Sequence, residues 1–217
     1  MNNAINPYIP TKLHSTIVLR PEQMNENLYN NLKQNLINSY KGKCYKDYGC
    51  IIDIIEILEK QMGRCETEDL TASARFNVTF SCKLCRPLKG TYILCEIVRL
   101  TKAVISAKNG PIIIIIIPDK INDNNFVIVN NNVKYKDKHN NIQALVESDI
   151  VKIKILGLVL RNNADTISVI GYLDNIATAD EVKDFYDNFY NATLSDGKIM
   201  DQKMIDYSEY TKNENIG

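Results

Sequence analysis

The stretch Ala74-Arg-Phe-Asn-Val-Thr-Phe-Ser-Cys-Lys-Leu-Cys-Arg-Pro-Leu-Lys-Gly90 decides how the chain is divided. Ala74, Phe76, Val78 and Phe80 alternate with Arg75, Asn77, Thr79 and Ser81, which is the period of a half-buried strand. Pro87 removes a backbone donor and stops the ladder, and Gly90 lets the chain turn. A second block of strands starts at Thr91. The segment therefore joins two small β-rich domains.

Before it, Met1 to Thr11 reads as a loose arm with Pro7 and Pro10, and His14 to Leu19 as a short strand ended by Arg20-Pro21. Glu22 to Tyr40 is expected to be helical, because Met24, Leu28, Leu32, Leu36 and Ile37 recur at helical spacing. Lys43 to Leu58 is strand-like around a β-branched core from Ile51 to Ile57, interrupted at Tyr48-Gly49. Lys60 to Thr71 is a polar loop. The first domain thus reads strand, helix, strand, strand.

After it, Thr91–Leu100, Ala103–Lys108 and Pro111–Ile117 read as consecutive strands. Asn109-Gly110 between the last two is the strongest hairpin signal in the chain. The Asn-rich stretch from Asn122 to Asn141 holds two short candidates, Phe126–Val129 and Val133–Tyr135. Ile150–Leu160 and Thr166–Tyr172 form a last hairpin. Five strands over this length fit an OB-fold barrel. Beyond Thr178, a Thr-x-x-Glu capping box opens a helix with Val182, Phe185, Tyr186, Phe189 and Tyr190 on one face. The fold class expected is α+β and mostly β. Residues 1–86 form the N-terminal domain, 87–177 the barrel, and 178–217 a helical, acidic extension.

The chain has 217 residues, 45% hydrophobic and 24% charged, an ordinary globular composition. Formal net charge is zero but uneven. Asp174 to Gly217 holds ten acidic and four basic residues, net −6, which leaves +6 on the rest. A basic body with an acidic tail points to polyanion contact. About a quarter of the chain is Ile or Asn, both of which have AT-rich codons. No apolar leader precedes the six cysteines, so reduced thiols in an intracellular protein are expected. The longest apolar run, Ile112 to Ile117, is far below the ~20 residues of a membrane span. If that run is a strand, one face is buried, and a partner or loop covers the other.

Catalytic chemistry has no visible basis. His14 and His139 lack nucleophile partners, and no glycine-rich phosphate loop occurs. Cys82-Lys83-Leu84-Cys85 has zinc-like spacing, with Cys44 and Cys50 as conceivable partners. Residues three apart on a strand point to opposite faces, so buried or interfacial thiols are the expectation. No cofactor and no metal are expected.

Several motifs, in order, resemble the stalk subunit of multisubunit RNA polymerases, the family of the seventh subunit of eukaryotic polymerase II and its archaeal counterpart. They are Gly42, Cys44 and Tyr48-Gly49; Gly63-Arg64 through Phe76-Asn77-Val78; Pro87, Lys89 and Gly90; Gly110-Pro111; and the elements around Gly157 and Gly171. The resemblance covers roughly His14 to Ala177. It implies a non-catalytic subunit. Its truncated ribonucleoprotein-like tip domain docks on the polymerase core through Gly42, Cys44, Tyr48, Gly49, Gly63 and Arg64. Its OB barrel projects near the RNA exit path, where it supports initiation and contacts nascent RNA.

The partners implied are the large and small core subunits, with a fourth-subunit-like stalk partner left open. Composition and divergence point to a large DNA virus, and hence to host cytoplasm, replication factory and virion. Candidate phosphate contacts are Lys89, Arg99, Lys102, Lys108, Lys134, Lys136, Lys152 and Lys154. Only Tyr92, Phe126, Tyr135 and Tyr172 are available for base stacking, so RNA contact is expected to be weak and salt-sensitive, or absent. Family members end near the barrel, so the 178–190 helix is read as docking either on the barrel or on a neighbouring subunit. The alternatives are a free-standing OB-fold RNA-binding factor and a structural virion component.

Overall fold

The computed structural model describes residues 3–67, 69–101, 103–129, 132–136 and 142–193. The chain order is β1 (Tyr8–Leu19), α1 (Leu28–Tyr40), β2 (Cys44–Tyr45), β3 (Gly49–Lys60), β4 (Arg64–Cys65), β5 (Ala74–Cys85), β6 (Tyr92–Leu100), β7 (Ile105–Asn109), β8 (Ile112–Ile116), β9 (Phe126–Val129), β10 (Asn132–Lys136), β11 (Ile142–Ala144), β12 (Ile150–Val159), β13 (Ile167–Ile176) and α2 (Ala179–Thr193). The fold is mostly β, with a tip sheet, a closed OB-like barrel and a C-terminal helix.

In the tip sheet, strand order is β1-β5-β3-β2, and β4 pairs with the start of β5. The central strand is β5. Ala74, Phe76, Val78, Phe80, Cys82 and Leu84 are all buried, as the alternation requires. One face of the sheet is covered by α1, whose Leu32 and Leu36 are fully buried.

β3 departs from simple alternation. Its register against β5 shifts between Ile51 and Asp53, between Ile54 and Glu56, and between Ile57 and Glu59. Each shift leaves one apolar residue (Ile52, Ile55, Leu58) without a partner on β5, while Ile51, Ile54 and Ile57 face the core.

The barrel closes in the order β12-β13-β8-β7-β6. β13 and β8 run parallel and the other pairs antiparallel. Its interior is isoleucine: Ile93, Ile97, Ile112, Ile114, Ile116, Ile153 and Ile155 are all essentially inaccessible. A small sheet, β9 to β11, closes one end, with Phe126 and Leu145 in the same core. Asn109-Gly110 makes the expected hairpin. Gly110 has φ +55, and a Cβ there would collide with the Tyr8 hydroxyl.

Several expectations are corrected. The arm is not loose: β1 begins at Tyr8, and Ile5 N–H donates to Tyr92 C=O at 2.7 Å. Pro10 is tolerated because β1 is an edge strand. The helix starts at Leu28 rather than Glu22, after a single 3-10 turn at Pro21–Gln23. The Asn25 side chain bonds Glu22 C=O and Asn27 N–H, which favours a turn over a helix. Arg64–Cys65 and Ile142–Ala144 are strands that were not expected. Cys44 and Cys50 are paired as a disulfide, so the reading of six reduced thiols fails at this pair. β8 buries one face as expected, while Ile113 and Ile115 on its other face, with Ile117 just beyond the strand, are about two-fifths exposed.

Candidate functional site: the tip ends, the seam and the barrel surface

The tip sheet has a near end at the barrel and a far end. Tyr8, Gly49 and Cys85 lie at the near end; Leu19, Lys60 and Ala74 lie at the far end. This geometry splits the six tip candidates. Gly42, Cys44, Tyr48 and Gly49 are at the near end. Gly63 and Arg64 are at the far end, where Arg64 is the register partner of Arg75. Ten residues of β5 separate the two groups, roughly 33 Å of strand.

Cys44 is buried in the core shared with the barrel, and Gly49 is buried against the end of β5. Gly49 has φ +116, and a Cβ there would lie 2.5 Å from Cys85 C=O, so no larger residue fits. Tyr48 is exposed, and Gly42 N–H donates to Ile51 C=O. At the far end, Met62 is 91% exposed and Leu70 wholly exposed, beside exposed Arg64.

The seam between tip and barrel is built from both. Cys44 N–H donates to Ala164 C=O at 2.7 Å, and Asn163 N–H donates to Cys44 C=O at 2.9 Å. Lys46 N–H donates to Asn162 Oδ1. All three bonds hold the loop between β12 and β13. Tyr8 Oη donates to Asn109 Oδ1 at 2.9 Å, and Asn109 Nδ2 donates to Leu94 C=O. Burial holds the Tyr8 phenol far above its usual range, with nearby Cys85 and Cys95 adding to the effect.

The described basic candidates fall on several elements. Lys89 is exposed in the turn before β6, and Arg99 is exposed near the end of β6. Lys108 on β7 is the register partner of Glu96. Lys134 and Lys136 are on the small sheet, where the Lys136 ammonium caps the carbonyls of Asp123 and Asn124. Lys152 is paired with Glu181 of α2. Lys102 lies outside the described residues.

One tight group does emerge. Tyr92, Lys154 and Tyr172 are register neighbours across β6, β12 and β13, and the Lys154 ammonium sits 5.5 Å from the Tyr92 ring centroid. Phe126 is buried, so it is no stacking surface.

α2 packs on the barrel: Phe185 is buried with Leu94 and Ile150, and Val182, Tyr186 and Ala4 pack around them. Thr178 and Glu181 make the expected reciprocal cap. Burial raises the Glu181 carboxyl, but hydrogen bonds and charge from Lys152 and bonds from Thr178 outweigh it and hold it below its usual range. The side chains of Phe189 and Tyr190 lie outside the described set.

A cleft of about 360 Å³ between the arm and α2 is lined by Tyr8, Asn109, Glu181 and Asp184 and holds no nucleophile–base pair. Among the described residues no cluster of three or more potential metal ligands occurs.

Residues 15–67 match the model of the SHS2 domain found in the N terminus of Rpb7p/Rpc25p/MJ0397. A DNA-directed RNA polymerase subunit of Acanthamoeba polyphaga mimivirus, L376, is 34% identical over 83% of this chain and 88% of its own length. The RNA polymerase II subunit RPB7 of Glycine max and subunit 7 of Arabidopsis thaliana are each 25% identical over 73% of this chain and 88% of their own length. The matched SHS2 segment takes in the second half of β1, then α1, β2, β3 and β4 of the tip, and the 181-residue match to L376 is too long to stop short of the barrel. The chain therefore belongs to the family of Rpb7-like stalk subunits of DNA-directed RNA polymerases, which are non-catalytic members of those complexes.

Proposed function

We propose that the chain is the stalk subunit of a viral DNA-directed RNA polymerase, with the far end of the tip sheet docked on the core enzyme and the barrel held outward near the RNA exit path. The observation that carries this is the pair of bare apolar side chains, Met62 and Leu70, at the end of the tip farthest from the barrel. Exposed apolar groups at an extremity are suited to burial in a larger partner. Gly63 and Arg64 belong to this docking end. Gly42, Cys44, Tyr48 and Gly49 shape the seam that sets its direction.

The proposed division is a tip over 1–86, a barrel over 87–177 and an extension over 178–217, with Ala4 and Ile5 of the arm seated on the barrel. The partners are large and small core subunits. A fourth-subunit-like chain has the open face of the tip sheet available to it. The face of α2 away from Phe185 is the place for a neighbouring subunit. The barrel supports initiation and touches nascent RNA weakly, through the Tyr92–Lys154–Tyr172 group, with the scattered lysines adding salt-sensitive attraction. The complex works in the host cytoplasm, in replication factories, and is packaged in the virion.

The test is co-purification with the large polymerase subunits. Met62→Asp with Leu70→Asp is expected to cut incorporation at least tenfold while leaving the far-ultraviolet circular dichroism unchanged. Unaltered incorporation ends the docking reading. RNA crosslinking at Tyr92 that disappears in Lys154→Glu supports the RNA contact. A free-standing RNA-binding factor would crosslink RNA without the polymerase subunits, and a structural virion component would do neither.

A further inference from the structure

Four side chains form one row across the tip sheet where it meets the barrel. Tyr8 on β1, Cys85 on β5, Cys50 on β3 and Cys44 on β2 are each the register partner of the next. All four are buried in the same core as Cys95 of the barrel. Cys44 and Cys50 are joined as a disulfide, with their Cα atoms 3.8 Å apart. β2 is only two residues long. Yet it carries the backbone bonds between Cys44 and the β12–β13 loop. One residue thus holds both the covalent link to the tip sheet and the hydrogen bonds to the barrel.

We propose that the Cys44–Cys50 disulfide is a redox-controlled fastener of the seam. Oxidised, it pins β2, and with it the β12–β13 loop, to the tip sheet. Reduced, β2 is held by hydrogen bonds alone and the joint between tip and barrel loosens. Opening consumes two electrons and two protons from a dithiol reductant. Its thiolate attacks one sulfur and the Cys44–Cys50 bond breaks. Its second thiol then closes the reductant's own disulfide, leaving Cys44 and Cys50 as thiols. Closing is the reverse exchange with a disulfide oxidant such as oxidised glutathione.

The surroundings suit a reversible pair. Lys46, Asp47 and Tyr48 between the two cysteines are exposed, so local opening of this short segment admits a small thiol. The neighbouring thiols do not compete. Burial pushes Cys85 up to about 12, and burial followed by the charge of Cys85 raises Cys95 well above its usual range. A thiol that stays protonated is a poor attacking group. In reducing compartments disulfides are usually transient and regulatory rather than permanent staples.

The experiment equilibrates the full chain in glutathione buffers of stepped ratio, quenches by alkylation, maps the linked peptides and measures amide hydrogen exchange. One two-electron transition at Cys44–Cys50 is expected. In the reduced form the amides of Cys44, Lys46 and Asn163 should exchange at least tenfold faster, with β7 and β8 unchanged. Cys44→Ser and Cys50→Ser should each reproduce the fast exchange without reductant, and Cys65→Ser, on exposed β4, should not. The wild-type comparison alone decides the matter if a variant does not fold. Alkylation of all six cysteines in oxidised glutathione, a Cys50–Cys85 linkage instead, or equal exchange in the two states would overturn the proposal. Its failure leaves the docking reading intact, because Met62 and Leu70 play no part in it.

Discussion

In β8 every second isoleucine is buried: Ile112, Ile114 and Ile116 are inaccessible, and Ile113 and Ile115 face out. In β3 the buried isoleucines come every third residue: Ile51, Ile54 and Ile57 are buried, each followed by an apolar–acidic pair (Ile-Asp, Ile-Glu, Leu-Glu), of which Asp53 is also buried in an ion pair with Lys41. Both strands are isoleucine-rich, but they belong to different architectures. β8 pairs on both sides, with β7 and β13, without a register shift, so it keeps period two. β3 pairs with β2 only at its first residues, so most of one edge is free to bulge. Three bulges at equal intervals convert a triplet pattern into a strand that still buries one face. Composition alone therefore does not fix which isoleucines form a core; the period does.

The largest effects should come from the buried set in both strands. Ile54→Ala and Ile114→Ala are each expected to cost about 2–5 kcal/mol in denaturant unfolding. A near-neutral Ile54→Ala would break the triplet reading. Deleting Ile55 removes only the extra residue of one bulge, so it should cost clearly less than Ile54→Ala; an equal loss would mean that the bulge is not what absorbs it.

Tyr8→Phe tests the joint between the two architectures. It leaves Asn109 Oδ1 buried without its donor, and about 1–3 kcal/mol should be lost. The pair of Glu181 and Lys152 ties α2 to the barrel, and Glu181→Gln should cost about 1–2 kcal/mol. The folded carboxyl lies below its usual range, so its contribution is present above the unfolded value near 4.3 and lost as pH falls through the folded one. Acid titration of wild type against Glu181→Gln, followed by hydrogen exchange of α2, should converge at low pH. The smallest effect is expected for Ile115→Thr on the outer face of β8, within about 0.5 kcal/mol.

Much of this was legible in the residues. The alternation from Ala74 to Cys85, the Asn109-Gly110 turn and the Thr178–Glu181 cap each carry a local signal strong enough to survive tertiary context. The β1 strand was half hidden, because Pro7 and Pro10 read as breakers unless the edge position is known. The start of α1 was misplaced because Asn25 competes locally for the backbone. The cysteine pair was invisible for another reason: residues six apart meet only when β2 and β3 are in register, and nothing local states that register. The division of the tip candidates between two ends is likewise a matter of strand direction. Gly42 and Gly63 are close in sequence but are carried apart by the length of β3.

The seating of Ala4 beside Phe185 brings the N-terminal arm and the post-barrel helix to the same flank, across β6 and β12. The tip leaves and re-enters the barrel through Tyr8 and Cys85, side by side. Traction applied between Ala4 and α2 would therefore run along a short path over that flank and load α2 before the tip sheet, which stands off it as a side branch.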